Sequence, residues 1–329
     1  MRAQAPGRVN LIGDHTDYTG GYALPMAVDR YTVVELTRGG DAVELRSDVE
    51  ADVAVVPIDT VDPSDVAPGW ARYVAGVVAV VRPTAGGRGT VTTTLPVGAG
   101  LSSSAALEVA VALALGFQGP PLELALACQR AEHLASGVPS GVMDQLASAA
   151  GVADHALLID CQSYEVTPVP LPEGVEIVVL DSGQARTLVG SPYAERRADC
   201  EAAAAIVGPL RQASVADVER IADDRLRRRA RHVVTENARV LAFADALGAG
   251  DLDGAGTLMV ESHHSLRDDF DVSTPALDAL VEKLLGQPGV HGARLTGAGF
   301  GGCVVALADA GSAAPGWRMR AADGAAMVG

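Results

Sequence analysis

Lysine is almost missing from this chain. Of its 25 Lys and Arg residues only one, Lys283, is a lysine. A phosphate loop of the G-x-x-x-x-G-K-[ST] type, whose lysine follows a glycine-rich turn directly, is therefore excluded. Positive charge of any kind is scarce: 41 Asp and Glu against 25 Lys and Arg leave a formal charge of −16. Such an envelope repels phosphate backbones and anionic lipid, which excludes a general nucleic-acid or membrane binder. Aromatic residues make up 4% of a chain that is 48% hydrophobic, so the core must be built from Ala, Val and Leu. Cysteine is limited to Cys128, Cys161, Cys200 and Cys303, with no CxxC or Cys/His spacing; buried free thiols in a reducing compartment are expected, and a metal site built on them is not. No apolar run approaches the roughly 20 residues of a membrane span. The run at 74–81 stops at Arg82, and Glu108 interrupts the one at 107–117. Asp14 and Asp17 occupy the place of a signal peptide's apolar region, so a cytoplasmic location is expected.

What is present reads as an α+β enzyme. At 329 residues the chain has room for about two domains on a prior of roughly 150 residues each. Pro168, Pro170 and Pro172 mark the expected boundary, giving domains 1–167 and 168–329. Strand patterns lie at 31–36, 43–46 and 89–95, and helical patterns at 102–115, 122–136 and 143–150. The second half carries strand patterns at 175–181, 293–295 and 303–307, and helical ones at 193–207, 215–222, 226–246 and 251–266. The arginine run 225–231 has acidic neighbours and reads as a solvated, salt-bridged helix face. His263 and His264 read as a packed or surface pair without metal partners, and Asp268 and Asp269 as capping or bridging groups.

Three glycine-rich segments carry the chemistry. The first, PGRVNLIGDHTDYTGG at 6–21, packs an arginine, two carboxylates, an imidazole and several hydroxyls into what reads as a loop. Carboxylates accept hydrogen bonds from neighbouring hydroxyls, so this constellation suits a sugar. The second, GAGLSSSAA at 98–106, runs into an Ala/Val/Leu helix. Small residues let backbone amides approach an anion, the helix start adds its positive dipole end, and a serine hydroxyl can ligate Mg²⁺. This is a phosphate cradle without a lysine. The third, LTGAGFGGC at 295–303, suggests close backbone approach to a ligand or to the second segment.

Together, PGRVNLIGDHTDY, GLSSSAA and LTGAGFGGC resemble the three motifs of the GHMP small-molecule kinases, and the first is similar to the galactokinase signature. Further similar blocks are GWARYV at 69–74, QRAEHLASGVPSGVMDQ at 129–145, SPYAERRADC at 191–200, RRARHVV at 228–234 and ESHHSLRDDFDVS at 261–273. The resemblance implies a two-domain GHMP kinase fold, with a ribosomal-protein-like N-terminal domain, an α+β C-terminal domain and the active site between them. It implies ATP and Mg²⁺, and transfer of the γ-phosphate to the C1 hydroxyl of galactose by a monomer. Asp144 matches the catalytic aspartate and Arg8 the arginine beside it. Ser103 and Glu132 match the Mg²⁺ pair. Asp14, His15, Asp17, Gly141, Asp144 and Tyr193 match the sugar contacts. Gly98, Ala99, Gly100, Leu101, Ser102, Ser103 and Ser104 match the phosphate loop, with Trp70 and Tyr73 at the adenine.

The sequence also departs from the pattern. Asp14 stands where galactokinases usually carry Glu, shorter by one methylene, and Thr19 replaces the usual Asn. Two alternatives therefore stay open: a sugar 1-kinase shifted toward N-acetylgalactosamine, arabinose or a uronic acid, and a non-catalytic galactose and ATP sensor. Because a carboxylate is a weak base, Asp144 either takes the proton of the attacking hydroxyl or acts electrostatically.

Overall fold

The protein is represented by a computed structural model that describes residues 1–96, 98–184 and 192–329; Ser191 of the 191–200 block lies outside them. The frame is one long antiparallel pair, β1 (Arg2–Ile12) with β2 (Tyr22–Arg38), in the register Ala3↔Val34, Arg8↔Ala27 and Ile12↔Leu24. The first glycine-rich segment is therefore strand as far as Ile12, and only its second half is a loop. The strand was hidden because β1 is buried on both faces from Ala5 onward, which abolishes the period-2 alternation, and its register shifts between Pro6 and Arg8 and again between Asn10 and Ile12.

Strands β3 (Ala42–Ser47), β4 (Ala54–Pro57) and β5 (Gly87–Thr93) extend the sheet. Its order is β12-β1-β2-β5-β3-β4, where β12 is Ala326–Met327, with β6 (His155–Asp160) joining the start of β2 to β7 (Val166–Pro170). Helices α1 (Ala71–Val81), α2 (Ser103–Ala114), α3 (Pro121–Ser136) and α4 (Met143–Ala150) cover it. Of these, α2 and α4 lie on β1 and β2, and α1 and α3 pack outside them. The apolar run 74–81 is the inward side of α1, where Ala71, Val74, Ala75 and Val78 recur at helical spacing.

The second sheet is antiparallel, in the order β11-β8-β10-β9: β8 (Val175–Asp181), β9 (Val290–Thr296), β10 (Cys303–Asp309) and β11 (Trp317–Met319). It carries α5 (Pro192–Val207), α6 (Val215–Val218), α7 (Asp224–Ala249), α8 (Leu252–Asp268) and α9 (Pro275–Leu285). The helix expected at 215–222 stops at Val218. The division expected at 167/168 falls inside β7, which belongs to the first sheet. The chain's end also returns there, as β12 (Ala326–Met327) pairs with β1 through Ala3↔Met327.

The two halves share helix α7. Its Ala230 and Val233 belong to the apolar core of the second sheet, while Val240, Phe243 and Leu247 belong to that of the first. The arginine run sits at its start and is salt-bridged as expected: Arg225 to Asp199, Arg227 and Arg228 to Asp224, and Arg231 to Glu219 and Asp269. Arg229 is the exception to a solvated face. It is buried, with Asp199 and Asp271 as partners.

Candidate active site

At the junction of the halves lies a cleft of about 430 Å³, lined by residues of all three glycine-rich segments. Its centre is Arg8, which is 4% exposed although it sits on a sheet strand. Strand β1 aims the guanidinium at the first turn of α4, where Nε and Nη2 donate to Oδ1 and Oδ2 of Asp144, each at 2.7 Å. Nη1 donates to the Gly100 carbonyl at 2.8 Å, so one side chain ties the catalytic candidate to the phosphate loop. Ser102 donates its hydroxyl to Oδ2 of Asp144 as well. Oδ2 thus accepts two hydrogen bonds and Oδ1 one, which leaves acceptor capacity on Oδ1. Asp144 is 30% exposed, whereas Arg8 is closed off.

Ser102 also explains the phosphate loop. It holds the N-cap position of α2 at φ 55°, a left-handed conformation that a non-glycine residue adopts only under constraint. Its hydroxyl goes to Asp144 and makes no cap hydrogen bond to the helix, so the first-turn amides of α2 keep their donor capacity for an anion. Gly98, Gly100, Ser102, Ser103 and Ser104 line the cleft. Ala99 and Leu101 do not; both are buried in the core of the first sheet. The third segment meets the second where Cys303 Sγ contacts the Ala99 carbonyl at 2.9 Å.

Next to the loop, α3 presents Glu132. Its Oε1 accepts from Ser104 Oγ at 3.1 Å, and its Oε2 accepts from Gln145 Nε2 at 2.6 Å and Ser140 Oγ at 3.3 Å. The hydroxyl bonded to Glu132 is thus that of Ser104, while Ser103 lines the cleft beside it. Gln145 Nε2 also reaches Oε2 of Glu108, a fully buried glutamate of α2. Burial, then the neighbouring Asp144, raises the carboxyl of Glu132; burial, then Glu132, pushes that of Glu108 well up. Three carboxylates, Glu108, Glu132 and Asp144, thus influence one another beside the phosphate loop, and only Asp144 is paired with a guanidinium; hard oxygen donors in such excess suit a divalent cation. The described residues contain no group of three or more His, Cys, Asp or Glu able to hold a metal. Mg²⁺ needs only one or two protein oxygens and completes its shell with phosphates and water.

Beyond Asp144 the cleft is walled by Asp14, His15, Asp17, Gly141, Tyr193, Gly297 and Ala298. Asp14 Oδ1 accepts from the Gly297 amide at 3.0 Å. His15 lies 3.0 Å from Tyr18 Oη through Nδ1 and 3.3 Å from the Ala298 carbonyl through Nε2. A carbonyl only accepts, so Nε2 carries the proton and Nδ1 accepts from the tyrosine. Burial lowers His15 to about 3, which makes it a neutral wall. Its ring packs 5.4 Å from that of Tyr193. Asp17 lies against Gly141 so closely that a Cβ there would overlap its carboxylate. Burial, then repulsion from Asp144, raises Asp17 to about 7. At the opposite end stand Trp70 and Tyr73, with Val49 and Glu50 across from the start of α1.

Sequence reasoning brought these residues together but missed what holds them. Glu108 was visible as the lone charge in an apolar helix, and Gln145 as the neighbour of Asp144. The hydroxyl of Ser102 on Asp144 had no signal beyond the serine triplet. His263, as expected, is packed: it is buried and lies 3.2 Å from Asp278.

Comparison with known proteins agrees with this geometry. The galactokinase galactose-binding signature matches residues 1–38, the GHMP kinase N-terminal domain 72–152 and the GHMP kinase C-terminal domain 243–322. The chain is 44% identical to the galactokinase of Chloroflexus aggregans, over 94% of this chain and 84% of that one. It is 45% identical to the galactokinase of Roseiflexus sp., over 93% and 83%. Among solved structures it is similar to Lactococcus lactis galactokinase complexed with galactose, with a TM-score of 0.91 and 32% identity over 99% of this chain and 95% of that one. Mevalonate kinase of Methanococcus jannaschii shares the fold, with a TM-score of 0.71 at 18% identity over 98% of each chain.

Proposed function

This chain belongs to the galactokinase family of the GHMP kinases, and on that premise we propose how its cleft carries the γ-phosphoryl group of ATP to the C1 hydroxyl of α-D-galactose, giving galactose 1-phosphate and ADP. The observation that carries the reading is the fork of Arg8 on Asp144, set between the phosphate loop and the sugar wall. Phosphoryl transfer asks for alignment and charge neutralisation more than for covalent chemistry.

The amides at the start of α2 and the Gly98–Ser104 turn bind the phosphates of ATP, with its base toward Trp70 and Tyr73. Ser103 and Glu132 hold the Mg²⁺, which neutralises phosphate charge when bound. Asp14, His15, Asp17, Gly141 and Tyr193 hold the sugar. The free acceptor capacity of Asp144 Oδ1 receives the attacking hydroxyl, and Arg8 fixes the carboxylate while facing the transferring group. Ser102 supports the orientation from the other oxygen. With Arg8, Asp144 and the serine triplet all in place, a sensor without turnover is the weaker reading. The three glycine-rich segments, Arg8, Asp144 and Glu132 meet in the cleft with no gap that calls for a second subunit's side chain, so we propose a monomer. All four cysteines are buried thiols, which suits the cytoplasm. No helix among the described residues is long and apolar enough to cross a membrane.

A coupled ADP-release assay over galactose, N-acetylgalactosamine, arabinose, glucose and glucuronate tests the proposal. Turnover is expected to be strongest on galactose. Turnover on another sugar alone would move the specificity, and sugar binding without turnover would restore the sensor.

A further inference from the structure

The largest side chain fully removed from solvent is that of Arg294, at 0% exposure. It belongs to β9 of the second sheet, yet its guanidinium reaches into the first half of the chain. Nη1 donates to the Leu11 carbonyl at 3.1 Å, and Nη2 lies 2.6 Å from Asp14 Oδ2 and 3.8 Å from Glu236 Oε1. Burial of a guanidinium is strongly unfavourable unless it is paired, so the choice of partner is informative. Glu236 has other partners: it accepts from Arg239 Nε at 2.7 Å, from the Gly13 amide at 3.0 Å and from Ser262. The close partner of Arg294 is Asp14, a wall of the sugar end of the cleft.

Asp14 is in turn held mainly from the second half, with Asn10 of β1 also against its carboxylate. Oδ1 accepts from the Gly297 amide, Oδ2 faces Arg294, and its carbonyl lies 3.1 Å from His232 Nε2. Its oxygens are thus fixed in space by a strand, a glycine-rich turn and a helix that do not carry the phosphate loop. An ionised carboxylate held in this way accepts hydrogen bonds and donates none.

We propose that Arg294 is a positioning residue for the acceptor: it holds Asp14 as a fixed, acceptor-only wall and thereby sets affinity and selectivity for the hydroxyls of the sugar, while the nucleotide end is left untouched. The proposal rests on the assignment of that end of the cleft to the sugar. Burial raises the carboxyl of Asp14, and Arg294 is the strongest opposing influence. Without the guanidinium the carboxyl is pushed further up, toward a form that can donate as well as accept, and discrimination between a hydroxyl and its absence weakens.

Steady-state kinetics on Arg294→Gln, Arg294→Lys, Asp14→Asn and the Asp14→Asn/Arg294→Gln pair test this. Arg294→Gln is expected to raise KM for galactose by on the order of tenfold or more, with KM for ATP within about twofold. The lysine variant should recover part of the loss. In the Asp14→Asn background, Arg294→Gln should add less than about threefold, because the two act as one unit. Additive effects, or parallel changes in both KM values and kcat, would assign Arg294 to the scaffold and overturn the proposal. The paired variant removes opposite charges together, so it reads the same coupling if Arg294→Gln alone does not fold. A chain that folds in neither background also places Arg294 in the scaffold. Loss of galactose turnover in the unaltered protein would sink the functional reading; an active protein with an indifferent Arg294→Gln would sink this inference alone.

Discussion

Replacement of Asp144 by asparagine is the most direct probe of the transfer step. The change keeps the volume of the side chain and one acceptor. Arg8 presents two parallel N–H groups at 2.7 Å, one to each oxygen, and Ser102 adds a third donor. An amide must turn its own NH₂ toward at least one of them, so a donor meets a donor and the fork opens. A lost hydrogen bond to a charged group costs about 1.5–3 kcal/mol, and loss of a positioned general base costs roughly 10²–10⁴ in rate. The two effects overlap at one carboxylate, so kcat should fall about 10³-fold, equivalent to ~4 kcal/mol of transition-state stabilisation. KM for galactose should change less than about threefold, since His15, Asp17 and Gly141 are in place without it. The assay is coupled ADP release at saturating ATP, with galactose binding followed by calorimetry. A variant with near-wild-type kcat would refute the role of Asp144 in any form. A galactose analogue fluorinated beside the C1 hydroxyl then separates the two mechanisms, because it lowers the pKa of the attacking group. If Asp144 takes the proton, the deficit of the variant shrinks on the analogue; if its role is electrostatic, the deficit stays constant.

Three further outcomes are expected. Asp17 has a folded pKa of about 7 against an ordinary value of 3.8, so between them the folded state holds a proton that the unfolded chain has released, and its contribution to stability falls as pH rises to about 7. Asp17→Asn mimics the protonated form; thermal denaturation should show its Tm advantage over the parent growing from about pH 4 and levelling above about pH 7, and a flat difference would reject the shift. Glu132→Gln should raise the Mg²⁺ concentration for half-maximal rate by roughly tenfold or more at fixed ATP, and an unchanged Mg²⁺ titration would remove Glu132 from the metal. Lys283 is exposed in α9, outside the cleft, so Lys283→Ala should leave KM for ATP within about 1.5-fold, and a large rise would mean the nucleotide lies elsewhere.

Legibility in the sequence followed the kind of signal each element carries. Helices α3, α4 and α7 were readable because one face is apolar at a regular period and Gly, Pro or Asp marks the ends, and strand β8 as a short continuous apolar run between Gly174 and Asp181. Strand β1 was not, since a strand buried on both faces has no period to read. The short edge strands β4, β11 and β12 depend on partners far away in the chain, and β12 returns to β1 from the C-terminus. Within the site, residues inside glycine-rich segments were legible because their types are dense and chemically specific. Arg294 and Glu236 were not, and Glu108 and Gln145 stood out without revealing a role, because each gains its meaning from a partner brought near by folding. A lone arginine ahead of a glycine turn gives no hint that it will face Asp14 across a domain junction.

The charge balance that excludes polyanion binding at the level of the whole chain also operates inside the cleft. Its lining carries Asp14, Asp17, Glu50, Glu132 and Asp144 against a single cation among the described residues, Arg8, and His15 is held neutral. A bare nucleoside triphosphate entering there meets net repulsion, softened only by Arg8 and the open amides at the start of α2. A neutral sugar meets none. The acidic lining therefore acts unequally on the two substrates: it admits the nucleotide with its phosphate charge neutralised by a divalent ion, and leaves the acceptor to be read by hydrogen bonds alone. Under the proposed binding of ATP with Mg²⁺, withholding positive charge favours the metal-bound nucleotide, and a chain with one lysine, that one outside the cleft, needs no lysine for phosphoryl transfer.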